Sequence, residues 1–125
     1  MPHFIVEHST NIPEQKITEL AKVIARASSD TGAFPLAGLR VRMHPTSTYV
    51  IADGHPDNAF VAIIARVGAG RDAETLKAVS QAISDAVCDH FSDELAGEHF
   101  MMSFDIEIND PAFTAKKNAI RKRLG

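Results

Sequence analysis

An α+β domain, in which two β-α-β units fuse into a four-stranded mixed sheet with two helices on one face, is the fold class the sequence predicts. Two observations carry it. The order strand, helix, strand is spelled once over about residues 2–44 and again over about 59–108. No Pro-, Gly- or Ser-rich linker divides the two units, so residues 1–125 read as one domain with a basic tail at about 112–125. The 125 residues, 45% hydrophobic and 23% charged, suit a single core that buries about two-thirds of the chain's surface.

The first strand begins at once, with Phe4 and Val6 alternating against His3 and Ile5 between Pro2 and Glu7. Asn11 offers a helix cap, and Pro13 is tolerated in a first turn, where its missing N–H is not needed. Ile17, Leu20, Ala21, Ile24 and Ala27 then recur at helical spacing, with Lys16, Glu19, Lys22 and Arg26 on other faces, and Gly32 stops the helix. After Phe34-Pro35-Leu36, the residues Leu39, Val41 and Met43 alternate with Arg40, Arg42 and His44 as a second strand with one polar face. A short extra strand is expected over Thr46 to Ile51, ended by the Asp53-Gly54 turn.

The second unit opens with Ala59 to Val67, rich in Val, Ile and Phe. The turn Gly68-Ala69-Gly70-Arg71 leads to Asp72 as a cap, and Leu76, Val79, Ile83 and Val87 line one helix face to about residue 91. The last strand, Phe100 to Ile108, alternates Met102, Phe104, Ile106 and Ile108 with Ser103, Asp105 and Glu107. Right-handed crossovers put both helices on the same face of the sheet. The other face is left open, and because strands 59–67 and 100–108 carry apolar residues on much of both faces, that face is expected to be a subunit interface in a homo-oligomer.

Composition excludes several function classes. No stretch has the roughly 20 uncharged apolar residues of a membrane helix, and Met1-Pro2-His3-Phe4 lacks a signal-peptide layout, so no membrane association and a cytoplasmic location are expected. The lone Cys88 has no partner for an internal disulfide and reads as a small buried side chain. The six histidines, His90, His99 and His44 among them, show no metal-ligand spacing and read as surface or packing residues, with no metal expected. All sixteen acids lie at or before Asp110, so residues 1–115 carry 8 − 16 = −8 and the tail carries +5 from Lys116, Lys117, Arg121, Lys122 and Arg123. An acidic body argues against nucleic-acid binding, and the tail reads as a solvated basic helix end.

Three residues stand out as candidate chemistry, each with a plain structural reading beside it. Pro2 can simply begin an edge strand, where a missing N–H is harmless. It is also small enough a neighbour to permit removal of Met1, which turns an amide nitrogen into a basic secondary amine. Arg40 is either a structural ion-pair partner or a fork for a carboxylate, with Arg42 in the same register. Arg71 either closes an ordinary strand-to-helix turn or sits with free N–H groups at a helix start that favours an anion. The turn lacks the glycine spacing and Lys-Ser/Thr pair of a phosphate loop. His3 and Phe34 are candidate pocket neighbours.

Met1-Pro2-His3-Phe4-Ile5-Val6-Glu7, Thr31-Gly32-Ala33-Phe34-Pro35-Leu36-Ala37-Gly38-Leu39-Arg40, Ala52-Asp53-Gly54 and Gly68-Ala69-Gly70-Arg71 together resemble the 5-carboxymethyl-2-hydroxymuconate isomerase family of the tautomerase superfamily. Each motif is weak alone, but the four occur in order over nearly the whole chain. The resemblance implies a tautomerase-like fold, a homotrimer, no metal or organic cofactor, and an amino-terminal proline exposed by loss of Met1. It implies enol-to-ketone isomerisation of a small anionic dienol, 5-carboxymethyl-2-hydroxymuconate, in homoprotocatechuate catabolism. Pro2 and Arg40 are then catalytic, and Arg40 and Arg71 bind substrate. Another tautomerase-superfamily reaction on an enol or unsaturated acid, or a non-catalytic oligomeric binding protein, is compatible with the same residues. The Lys- and Arg-rich segment after Asp110 departs from the family pattern.

Overall fold

The computed structural model describes residues 2–125, so the expected loss of Met1 lies outside the described residues. Strand β1 (His3–Ser9) leads to helix α1 (Glu14–Asp30) and strand β2 (Arg40–Thr46). Strand β3 (Ala59–Gly68) leads to helix α2 (Ala73–His90), a short helix α3 (Ser92–Ala96) and strand β4 (Phe100–Asn109). A final short helix, α4 (Arg121–Leu124), follows a coil.

The strands form one sheet in the order β2-β1-β3-β4. Within each unit the pair is parallel, as a helical crossover requires, and the units meet through the antiparallel pair of β1 and β3, which makes the sheet mixed as expected. Strand alternation sends Phe4, Val6, Val61, Ile63, Ala65 and Val67 to one face. There they pack with Leu20 and Ile24 of α1 and Val79, Ile83 and Val87 of α2 in one core. Each such Val, Leu, Ile or Phe side chain contributes about 1.5–3 kcal/mol of burial. Among the described residues no helix is long and apolar enough to cross a membrane.

The turn signals worked where they acted locally. Gly32 adopts φ +67° just beyond α1, and Gly54 adopts φ +81° in the expected turn, both in the left-handed region that a side chain disfavours. The Asp72 carboxylate accepts the Thr75 N–H at 2.8 Å and caps α2.

Four local expectations are corrected. Residues 47–51 form no strand: β2 itself runs through Pro45 to Thr46, and the chain then leaves the sheet edge. Asn11 does not cap α1, which is preceded by Pro13; its side chain donates instead to the Asn58 carbonyl at 2.8 Å, tying the two units together. Cys88 is half-buried rather than buried. The tail is not merely a solvated helix end: its charged side chains are exposed, but Asn118 Nδ2 donates to the Ala37 carbonyl at 2.9 Å and holds the segment against the Leu36–Gly38 turn.

The open face of the sheet is also less uniformly apolar than expected. Register places Ile5 beside Ile64, with Phe60 and Ala62 along β3, as a half-buried apolar strip. One edge of this face carries Arg40, Arg42 and His44 of β2, and the other carries Asp105 and Glu107 of β4. The strip is apolar because β1 and β3 are central strands; the edges are charged because they are not.

Candidate functional site

Pro2, at the entrance to β1, is fully buried. Its carbonyl accepts the backbone N–H of Arg40 at 3.2 Å, which begins the parallel pairing of β1 with β2. The fold thus brings Pro2 and Arg40, 38 positions apart in sequence, to the same end of the sheet. Arg40 pairs with His3, so its exposed side chain shares the open face with His3 and Arg42.

His3 sits within a cationic belt. Burial holds its imidazole below the ordinary value of 6.5, reinforced by Arg40, Arg42, Arg66 and His44. Its Nε2 is buried without a hydrogen-bond partner among the described residues. A neutral ring is the form such surroundings favour.

Arg71 is fixed more firmly than a solvated turn residue. Nε donates to the Ala33 carbonyl at 3.1 Å and Nη1 to the Gly68 carbonyl at 3.3 Å. The guanidinium lies over the Phe34 ring, 4.4 Å from its centroid. Phe34 therefore supports the arginine as a platform, and the two backbone carbonyls orient the fork without neutralising its charge. Among the described residues the remaining N–H donors meet no protein acceptor.

A cavity of 460 Å³ opens at Arg71, lined also by Gly68, Ala69, Lys116, Asn118 and Arg121, with no Asp or Glu among the described residues that line it. A neighbouring recess of 200 Å³ contains Arg40 and Lys117 and shares Asn118 with it. Arg71 and Arg40 thus open onto adjoining spaces, separated by the tail at Asn118. The tail's part in this wall has no periodic or spacing signal in the sequence; only the run of positive charge hinted at it.

A separate cavity of 320 Å³ is lined by Asp57, Asp93, Glu94 and Glu98 and repels a carboxylate. Near it the fold assembles His55, Asp57 and His99, whose ligating atoms all lie within 4.8 Å of one another, a grouping that chain spacing conceals. Its hydrogen bonds give it a structural role. His99 Nδ1 engages Asn58 Oδ1 at 2.9 Å, and His55 Nδ1 accepts the Asp57 N–H at 3.1 Å, so both rings are tied into the loop that precedes β3.

Five cationic side chains, Arg40 and Lys117 on one side and Arg71, Lys116 and Arg121 on the other, thus line two adjoining recesses. Comparison with known proteins gives this arrangement a context. The family described as 5-carboxymethyl-2-hydroxymuconate isomerase matches residues 2–124. A 5-carboxymethyl-2-hydroxymuconate Delta-isomerase of Escherichia coli is 36% identical over 123 residues, covering 96% of each chain. The crystal structure of a 5-carboxymethyl-2-hydroxymuconate isomerase from Deinococcus radiodurans R1 superposes with a TM-score of 0.90 at 35% identity, covering 98% of this chain and 92% of that one. A fused 4-OT solved as a symmetric trimer shares the fold alone, with a TM-score of 0.70 at 18% identity over 91% of this chain and 92% of its own. Matched along almost its full length in sequence and in structure, the chain belongs to the 5-carboxymethyl-2-hydroxymuconate isomerase family.

Proposed function

We propose that the protein is a 5-carboxymethyl-2-hydroxymuconate Delta-isomerase that converts the enol to its oxo isomer without a cofactor, in the catabolism of homoprotocatechuate. The observation that carries this reading is the meeting of Pro2 with Arg40 at one end of the sheet in a chain of this family. With Met1 removed, the Pro2 nitrogen is a secondary amine. An ordinary α-amino group titrates at about 7.7–8.0 and a secondary amine is intrinsically more basic, so the neutral base needs help at neutral pH. The positive charge of Arg40, at the same end of the sheet, favours that neutral form.

In the proposed reaction the Pro2 nitrogen takes the proton of the 2-hydroxyl group as its O–H bond breaks. The oxygen electron pair forms the C=O bond, the conjugated double bonds shift, and the proton returns from Pro2 to a carbon further along the chain. Arg40 and Arg71 hold carboxylates, and Arg40 stabilises the charge that develops on oxygen. Proton transfer contributes about 10²–10⁴-fold, with orientation and electrostatics supplying the remainder. Ketonisation is followed by the loss of dienol absorbance: Pro2→Ala loses most turnover and Arg42→Ala little, whereas small and equal losses overturn the reading.

We further propose a homotrimer. The open face offers an apolar strip to bury, and a cationic β2 edge with an acidic β4 edge makes a head-to-tail contact that closes into a ring.

A further inference from the structure

We infer that the C-terminal segment supplies a second anion subsite, in which Lys116 and Arg121 close on Arg71 and hold a carboxylate of the substrate other than the one beside Pro2. The inference rests on the proposed isomerase reading and deepens it, because it names the residues that make the site selective for a multiply charged ligand.

Three observations carry it. Lys116 Nζ lies 3.5 Å from the position a Cβ would take on Gly68, and the carbonyl of that same glycine accepts Arg71 Nη1 at 3.3 Å. The lysine and the arginine therefore converge on one residue at the end of β3. Arg121 joins them on the wall of the 460 Å³ cavity.

The segment that carries the two tail cations is also anchored at defined points. Asn118 Nδ2 donates to the Ala37 carbonyl, and Asn118 Oδ1 accepts the Ile120 N–H at 3.0 Å, while the Gly125 N–H returns to the Arg121 carbonyl at 2.8 Å. Lys116 and Arg121 flank this anchor on either side. They are positioned by the fold rather than trailing from it.

The convergence has no internal counter-charge. The chain has sixteen acids, yet none of those described lines this cavity, and the ion pairs among the described residues are Lys16 with Glu94 and Arg66 with Glu107. Three like charges gathered in one recess repel one another, and an anion between them reverses the sign of the interaction. 5-Carboxymethyl-2-hydroxymuconate has three carboxylates by its chemical name. Arg40 beside Pro2 faces one of them, and Arg71 with Lys116 and Arg121 gives a second, distal one more than a single cation.

The test combines turnover with binding of a non-reacting probe. In the K116Q/R121Q double variant, KM for the tricarboxylate rises about tenfold to hundredfold, the cost of losing charged hydrogen bonds. The loss falls on KM rather than on kcat, because the subsite lies away from the reacting atoms. Lys116→Arg retains the wild-type KM. Calorimetric binding of tricarballylate weakens by a similar factor in the double variant and becomes less salt-dependent. Far-UV circular dichroism and thermal unfolding confirm that the variants are folded. Unchanged KM and unchanged tricarballylate binding in the double variant overturn the subsite. A wild-type protein that binds tricarballylate through Lys116 and Arg121 but turns over no dienol retains the subsite and removes the reaction, so the two failures are distinguishable.

Discussion

The backbone N–H of Arg40 donates to the carbonyl oxygen of Pro2 across 3.2 Å, so the position of the arginine relative to the proline is set by main chain, not by its own side chain. Truncating the guanidinium leaves that bond in place. Arg40→Ala is therefore expected to keep its fold and melting temperature while losing about 10²–10³-fold in kcat/KM, the scale of removing a donor from a developing oxyanion. Steady-state kinetics alongside thermal unfolding check this; a large drop in melting temperature with little kinetic effect assigns Arg40 to structure.

Asp72 is a stability residue with a predictable pH signature. The Thr75 N–H holds its carboxyl below the ordinary value of 3.8, so the folded state favours the charged form. The stabilisation is present above 3.8 and is lost as the pH falls through the folded-state value. Asp72→Ala is expected to unfold at lower denaturant concentration than wild type at neutral pH, and the gap is expected to close in strong acid. Paired urea titrations at the two pH values measure it.

His3 has the same pH slope as Asp72, but as a penalty that appears in acid rather than a stabilisation present at neutral pH. Burial and the surrounding arginines lower its pKa, so the unfolded chain binds the proton more readily. The penalty is absent above 6.5 and grows as the pH falls below 6.5 through the folded-state value. His3→Phe is expected to flatten the loss of stability on acidification from about pH 7 to about pH 5. Equal pH slopes in wild type and variant contradict this.

Ile64 lies on the apolar strip of the open sheet face, opposite the helices. A carboxylate placed there has to be desolvated by any subunit that covers it. Ile64→Asp is expected to convert a trimer to folded monomers, read by light scattering after size-exclusion chromatography. A wild-type monomer, or a variant trimer of unchanged stability, removes the proposed interface.

Much of this fold is written locally. The alternation of Phe4 and Val6 and of Met102, Phe104 and Ile106, the helical spacing of Ile17, Leu20 and Ile24, and the Asp72 cap each act within a few residues, and each is found where its pattern lies. What sequence spacing concealed depends on partners far along the chain. Asn11 looks like a cap until Asn58, 47 positions away, takes its side chain. Residues 46–51 have strand-like composition but no sheet edge to join beyond Thr46. The placement of Arg71 on Phe34 and of Lys116 over Gly68 likewise arises only when both units and the tail are packed. The site is legible as a set of residue types, and its walls are not.

The most direct measurement compares two purified chains, one beginning at Pro2 and one with a non-cleavable residue retained ahead of it, each verified by intact mass, for ketonisation of 5-carboxymethyl-2-hydroxymuconate. The account predicts full turnover from the chain that begins at Pro2 and almost none from the extended chain, whose proline nitrogen is an amide with no basicity, at equal fold and oligomeric state. Equal turnover from both chains contradicts a proton-transferring Pro2.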